Sequence, residues 1–420
     1  MPSWLLRFRF VLIAVVALLV FQTLRTRICE RYRVPSPSME PTLHGDEAVG
    51  DLVLVDLTAW WWHDPQPFDL VVVKKPASSA ADPLVKRLIA LAADAPCAVA
   101  IRDGDVFVGP DASALTRLEK DPARHRDLRI PVLRFPGHPG GERVEAMWAG
   151  VELTAPEIHL PPAAADLPAL AALLEGGAQL ARRTAEPAQM FVPGHLRSLH
   201  PLDVSYLDSD GRRHGVGRGF DRDLGLEVDL VAGAGCTAVQ IVFEYHDQYF
   251  ALQLEARGRG KITGPDGNEL TSFAAPAFGA GQVLRLVFGH LDGWFFAEVD
   301  GNVLARVPRE LPAAQGKARF PGTSFENLLH CGCAGGPCRV RRLLAFRDLH
   351  YAPPPIAWTA EAEPWEVRQG EMFLLGDNTY DSDDSRQRSR RSGPQFAIAD
   401  LLGRPVAILA PRARAGWLER

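Results

Sequence analysis

The chain has 420 residues, 47% of them hydrophobic and 23% charged, and a formal charge of −5. That length asks for two or three domains. The charge balance offers no basic surface for a nucleic acid, and the ordinary apolar and charged fractions are those of a globular protein. The 37 glycines and 34 prolines together point to many turns and short strands rather than long helices.

The N-terminus reads "MPSWLLRFRFVLIAVVALLVFQTLRTR" and carries no charge from Phe10 to Leu24, with Leu5 and Leu6 extending the apolar run past Arg7 and Arg9. A bilayer-spanning helix takes about 20 such residues, and arginines at its end can snorkel to the interface. A cleaved leader would show the same basic start and apolar middle. No A-x-A-like site follows in "FQTLRTRICERYR", so residues 1–27 are read as a retained membrane anchor. Counting Arg7 and Arg9 against Arg25, Arg27, Arg31 and Arg33 favours the following segment in the cytoplasm.

Ten residues past Leu24 begins "VPSPSMEPTLHGD", a stiff, hydroxyl-bearing turn at 34–46. β-rich runs follow at Leu52–Leu57, Leu70–Lys74 and Leu84–Leu91, then a hairpin-like "DGDVFVG" at 103–109, together an antiparallel β-domain over 28–109. Lys86 and Arg87 emerge from the third run, "PLVKRLIAL". From 110 to 200 the pattern decays into a connecting region with weak structure. Its Ala-rich "LPALAALLEGGAQLARR" has the composition of a short helix broken at Gly176–Gly177.

From about 201 to 355 strand signals return at regular spacing. "LGLEVDL" sets Leu226, Val228 and Leu230 against Glu227 and Asp229, and "VQIVFEY" sets Val239, Ile241, Phe243 and Tyr245 against Gln240 and Glu244. "WFFAEVDGNVLARV" turns at Asp300–Gly301. Half-buried strands joined by tight turns predict a β-sandwich. After the linker "APPPIAW" strand signals resume in "WEVRQGEMFLLGDN" and "FAIADLLGRPVAIL". The fold class predicted is mainly β: an N-terminal membrane anchor, then an antiparallel β-domain, residues 28–109 and 356–420, interrupted by a large sandwich insertion. The six cysteines include "HCGCAGGPC", whose C-x-C-x4-C spacing matches no standard zinc pair, so disulfides or free thiols are expected with the pairing open.

Three segments carry candidate chemistry: Ser36-Pro-Ser38-Met39, Lys86-Arg87, and the polar loop "GDNTYDSDDSR" after Met372–Leu375. Each has an ordinary reading. The first suits a turn, the second a solvated strand end, and the third a set of Asx turns. Asp377, Asp381 and Asp383 fall at odd positions as in a calcium loop, but the central glycine and closing glutamate of that pattern are missing. No cofactor and no metal are expected.

Taken together, in this order and behind an apolar anchor, the three segments resemble type I signal peptidase, also called leader peptidase. "VPSPSMEPTL" matches the family's nucleophile box, "PLVKR" its lysine box and "FLLGDNTYDSDDSR" its Gly-Asp-Asn box; "GDLVLV", "FDLVVVKKP" and "LLGRPVAIL" match the flanking strands. The insertion's strand pattern resembles laminin-G and concanavalin-type jelly rolls. The peptidase resemblance implies a membrane-bound Ser-Lys serine endopeptidase acting on preprotein signal peptides. It would sit single-pass in the cytoplasmic (inner) membrane against the lipid bilayer, its catalytic domain on the extracytoplasmic side. By that resemblance Ser38 is the nucleophile and Lys86 the general base, a role that needs an amine neutral at working pH and so an apolar setting. Ser36 joins the oxyanion site, Ser382 orients the lysine, Asp384 pairs with Arg87 and Arg386, and Gly376, Asp377 and Asn378 shape the turn. Val34, Met39, Leu43 and Val85 line small apolar pockets, and the Leu84–Lys86 edge pairs with an extended substrate.

The sequence departs from the family in two places: "ALAADAP" replaces a Gly-Leu-Pro-Gly-Asp-like turn, and Phe68-Asp69 replaces Gly-Asp. Two rival readings exist. A self-cleaving Ser-Lys repressor would carry a DNA-binding head where this chain has its apolar segment. A membrane-anchored receptor would use the sandwich to bind glycan or protein through the aromatics of "DGWFF" and "YHDQYF", residues that otherwise belong to a sandwich core.

Overall fold

The computed structural model describes residues 28–74, 83–102, 104–136, 148–149, 153–154, 157–160, 162, 195–198, 206–207, 213–214, 222–245, 248–265, 267–311, 327–349, 351, 363–379, 381–388 and 396–418, with Ile13, Val15 and Val16. The protein is mainly β. The anchor expected over 1–27 lies outside the described residues except for those three, which are helical. Among the described residues no helix is long and apolar enough to cross a membrane. The Ala-rich segment at 167–183 also lies outside them.

The chain divides into two compact units, one made of 1–102, 106–118 and 351–420, the other of 103–105 and 119–350. In the first, an eight-stranded antiparallel sheet runs in the order Cys29–Arg33, Leu52–Asp56, Leu401–Ala410, Leu70–Val73, Leu84–Leu91, Glu371–Leu375, Phe396–Ala397, with Gly416–Trp417 paired to Leu401–Ala410. The lysine strand therefore lies between strands from the two ends of the sequence, Val71 opposite Lys86 on one side and Leu375 opposite Arg87 on the other. Alternation sorts its side chains. Val85 packs with Val34, Met39, Leu43, Val53, Val55, Leu70 and Val72. Leu84 and Leu88 pack on the opposite cluster with Val71, Val73, Met372, Leu374 and Phe396. A second, four-stranded sheet joins Trp365–Val367, Cys97–Arg102, Asp105–Gly109 and Thr116–Arg117.

The second unit holds a sheet of eight strands and one of seven with a shared core. Leu226, Val228 and Leu230 face that core while Glu227 and Asp229 stay outside, as the alternation predicts. The next strand departs from its pattern: Gln240 and Glu244 are buried too, and Glu244 takes a 3.0 Å contact from His330 Nε2. Two-residue turns at Asp292-Gly293 and Asp300-Gly301, all four with positive φ, join successive strands as hairpin chemistry requires. Within 110–200, two of the described segments are strands held by a distant partner. Ile130–Phe135 and Glu157–Leu160 both pair with Cys338–Arg347, a partner remote in sequence that imposes strand geometry on weak local patterns.

Most of the described aromatics of "DGWFF" and "YHDQYF" follow the core reading, with Trp294 half-buried. Tyr245, Tyr249, Phe250, Phe295 and Phe296 are buried, and Phe250 stacks on Phe295 at 4.3 Å between centroids. Within this unit a buried charge cluster fastens the ingoing and outgoing ends of the segment. Lys120 Nζ meets Asp292 at 2.9 Å and Asp348 at 2.6 Å, Arg222 meets Asp105 at 2.5 Å, and His290 Nδ1 meets Asp223 at 2.7 Å. Burial alone would strip the Lys120 proton, but the surrounding Asp292, Asp348 and Asp105 outweigh it and hold that amine charged.

Candidate active site

The nucleophile box folds as a compact turn over Pro37–Met39, with Ser36 extended before it and a proline at the start of its short 3₁₀ segment. Glu40 N–H donates to Pro37 O at 3.0 Å and Leu43 N–H to Met39 O at 2.9 Å. Two glycines let other backbone pass close by. A Cβ on Gly45 would lie 1.6 Å from Ser36 O, and one on Gly50 would lie 2.2 Å from Val34 O, so neither position accepts a side chain. Asp51 holds the far side of the turn, accepting from His44 N–H at 2.8 Å and from Arg414, whose Nη2 also reaches Thr42 O. Sequence reasoning missed this brace, although Gly45 and Asp51 lie beside the quoted box. His44 is engaged with Glu40 at 2.9 Å, and no hydrogen bond joins it to Ser38.

The Gly-Asp-Asn loop closes over this turn. Asn378 N–H donates to Ser38 O at 3.1 Å and Asn378 Nδ2 to Pro37 O at 3.1 Å. Gly376 is the tightest joint. A Cβ there would sit 2.1 Å from Ser382 Oγ and 2.5 Å from Ser38 O, so this glycine touches both serine segments at once. Thr42 Oγ1 donates to Asp377 Oδ2 at 2.5 Å, and Asp377 also receives the Arg87 guanidinium in a forked pair, 2.8 Å to Oδ1 and 2.6 Å to Oδ2. Asp377 thus ties the nucleophile turn, the lysine strand and its own loop.

The expected pairing of Asp384 with both arginines needs correction. Asp384 takes Arg386 in a fork of 2.9 and 2.8 Å and accepts Gly376 N–H at 3.1 Å, whereas Arg87 goes to Asp377. Arg386 further donates to Thr379 Oγ1 and O, which locks the loop's own curvature. Burial pushes the Asp384 carboxyl up, but Arg386, Lys86 and the Gly376 N–H outweigh it and hold it below the usual carboxylate range. Ser385 Oγ completes the loop by accepting Leu374 N–H at 2.8 Å.

Lys86 is 2% exposed, and its Nζ donates to Ser382 Oγ at 3.0 Å. Burial brings its pKa down to about 8, against the raising pull of Asp384, Asp383 and Asp377 and with help from Arg386. Ser38 is 8% exposed and accepts the Ser36 hydroxyl at 3.3 Å. No hydrogen bond joins Lys86 to Ser38; Ser382 and Gly376 stand as the links between them. Phe68 carries the departure from the family's Gly-Asp. Its φ is 70°, in the left-handed region that favours glycine, and its carbonyl accepts Arg87 Nη1 at 2.8 Å. The ladder to Glu371–Leu375 stops at Arg87, so on that side the Leu84–Lys86 backbone has no strand partner among the described residues. Val34, Met39, Leu43 and Val85 are buried against one another, and Leu84 faces the other cluster.

Residues 7–145 match the profile of the family described as signal peptidase, peptidase S26. That stretch, about a third of the chain, is similar to the signal peptidases. Signal peptidase I of Mycobacterium tuberculosis is 40% identical over 70 residues, covering 16% of this chain and 24% of that protein. A probable signal peptidase I of Mycobacterium leprae is 41% identical over 70 residues with the same coverage. The chain thus spans about a quarter of the length of the curated relatives it matches. Among solved structures, a Caenorhabditis elegans galectin is 16% identical over 31% of this chain and 87% of its own, with a TM-score of 0.24. A Bacillus subtilis protein with a galectin-like fold is 9% identical over 52% of this chain and 96% of its own, with a TM-score of 0.30. Likenesses this slight say nothing of a ligand.

Proposed function

We propose that this protein is a membrane-bound serine endopeptidase that removes N-terminal signal peptides from exported preproteins, with Ser38 as nucleophile and Lys86 as general base. The observation that carries the reading is the Lys86 amine: buried, held by Ser382, brought down toward neutrality, and linked through Gly376 to the Ser38 turn. A serine hydroxyl needs a base, and His44 of the same turn is occupied by Glu40.

In this reading neutral Lys86 takes the Ser38 proton as Oγ attacks the scissile carbonyl, and the ammonium returns it to the leaving amine. Water then enters under the same base and releases the acyl group. The oxyanion is received by the Ser38 N–H and the Ser36 hydroxyl, which swings from Ser38 Oγ toward the developing charge. The Ser38–Lys86 bond forms as substrate enters, since catalytic hydrogen bonds are often long in unliganded sites. The unpaired Leu84–Lys86 edge takes the substrate backbone as an added strand. Val34, Met39, Leu43 and Val85 shape the apolar wall on one face of that edge and Leu84 the wall on the other, which suits small residues before the cut. Residues 1–27 supply a single-pass anchor in the cytoplasmic membrane, with the catalytic unit on the extracytoplasmic side where a tethered preprotein presents its cleavage site. The second unit keeps a jelly-roll type of sandwich.

The test is cleavage of a signal-peptide-bearing preprotein by the full chain in detergent, with Ser38→Ala and Lys86→Met assayed separately. Both variants should keep the wild-type circular dichroism and lose cleavage. Wild-type turnover by either would refute the assignment.

A further inference from the structure

The cysteines of the second unit gather at one place. The turn "GAGC" (233–236) follows the strand Leu224–Ala232, and the turn "GGPC" (335–338) follows Asn327–Ala334. The two turns lie backbone against backbone. Gly233 N–H donates to Pro337 O at 2.8 Å, and Thr237 N–H to Ala334 O at 2.9 Å. Glycine is what permits this approach. A Cβ on Gly336 would fall 2.2 Å from Ala234 O and 2.5 Å from Cys236 N, one on Gly335 would fall 2.6 Å from Gly235 O, and one on Gly233 would fall 2.4 Å from Pro337 O. The consequence is that Cys236 Sγ and Cys338 Sγ stand 3.4 Å apart, although 102 residues separate them in sequence. Cys333 also hydrogen-bonds the Cys338 thiol. Cys236 is half-buried, while Cys333 and Cys338 are buried, so a reagent in solution reaches Cys236 first.

We propose that Cys236 and Cys338 are a disulfide-forming pair, closed by thiol–disulfide exchange with an external protein or small-molecule disulfide. The Cys236 thiolate attacks the external disulfide, forms a mixed disulfide and releases one thiol. Cys338 then attacks Cys236 Sγ and releases the second thiol. Two protein thiols and one external disulfide become one protein disulfide and two external thiols, with both protons carried off on the leaving thiols. The sulfurs have only to close from 3.4 Å to about 2.05 Å. The pair ties the connection between the two sheets, Leu224–Ala232 in one and Ala238–Tyr245 in the other, to the first residue of Cys338–Arg347. The proposal does not depend on the peptidase reading.

The Cys338 hydrogen bond and then burial hold the Cys236 thiol above its ordinary range, so exchange is slow and calls for prolonged incubation at about pH 8.5. Full-length protein equilibrated with glutathione disulfide should lose about 2 Da in intact mass, leave two fewer alkylatable cysteines than the reduced protein, and give a non-reducing peptide map joining the Cys236 and Cys338 peptides. Its thermal midpoint should exceed that of the reduced form by roughly 5–10 °C, since the bond closes a long loop. Cys236→Ser should abolish the mass loss. If that variant fails to fold, the wild-type map alone decides. Unchanged thiol count, a stable glutathione adduct on Cys236, or a link from Cys338 to Cys333 would each overturn the pairing.

Discussion

Lys86 makes a quantitative claim on pH. With its pKa at about 8, the amine is neutral in about 9% of molecules at pH 7 and about 91% at pH 9. If that amine is the base, kcat/KM should climb about ten-fold between those two pH values, with its inflection at the free-enzyme pKa. Stability supplies an independent arm. The folded value lies below the ordinary 10.5, so between about 8 and 10.5 the unfolded chain binds more protons than the folded one. Stability therefore rises with pH across that window, and below about pH 8 the burial costs about 3 kcal/mol relative to pH above 10.5. Lys86→Met removes the titrating group and should flatten that slope in urea titrations at pH 7.5, 9 and 10.5. A kcat/KM profile level from pH 6 to 9, together with parallel stability slopes in wild type and variant, would show an ordinary charged lysine and sink the reasoning.

Gly376→Ala puts a methyl 2.1 Å from Ser382 Oγ and 2.5 Å from Ser38 O, which must push the two serine segments apart; kcat should fall about 100-fold or more with circular dichroism unchanged, read in the same preprotein assay. Asp377→Asn strands the Arg87 guanidinium, which is 1% exposed, and should cost about 3–5 kcal/mol in urea unfolding, a loss that Glu47→Gln at a nearby exposed position should not reproduce. Lys120→Met leaves Asp292 and Asp348 buried without their cation and should lower the thermal midpoint of the second unit in a calorimetric scan.

The sequence disclosed what is local and phased. Ser38, Lys86 and Ser382 stand out as candidates through the family resemblance of the short runs that hold them, and Asp300-Gly301 because two turn-forming residues between alternating runs leave few options. It could not disclose which acid meets which arginine. Asp377 and Asp384 share one loop, and only the register of Leu375 opposite Arg87 brings the first of them under the guanidinium. The Thr42–Asp377 bond joins residues 335 apart and has no local signature. Ile130–Phe135 was hidden for a related reason, since its strand state comes from its partner more than from its own residues. Gln240 and Glu244 misled because alternation marks which face is polar and does not say whether that face is covered.

The bond from Lys86 to Ser382 reaches across 296 positions. A ribosome releasing this chain delivers Ser38 and Lys86 early, and Asp377, Ser382 and Asp384 only near the finish. Throughout the intervening synthesis the Lys86 amine lacks its Ser382 partner, so the polar cluster around it is completed only when translation is nearly over.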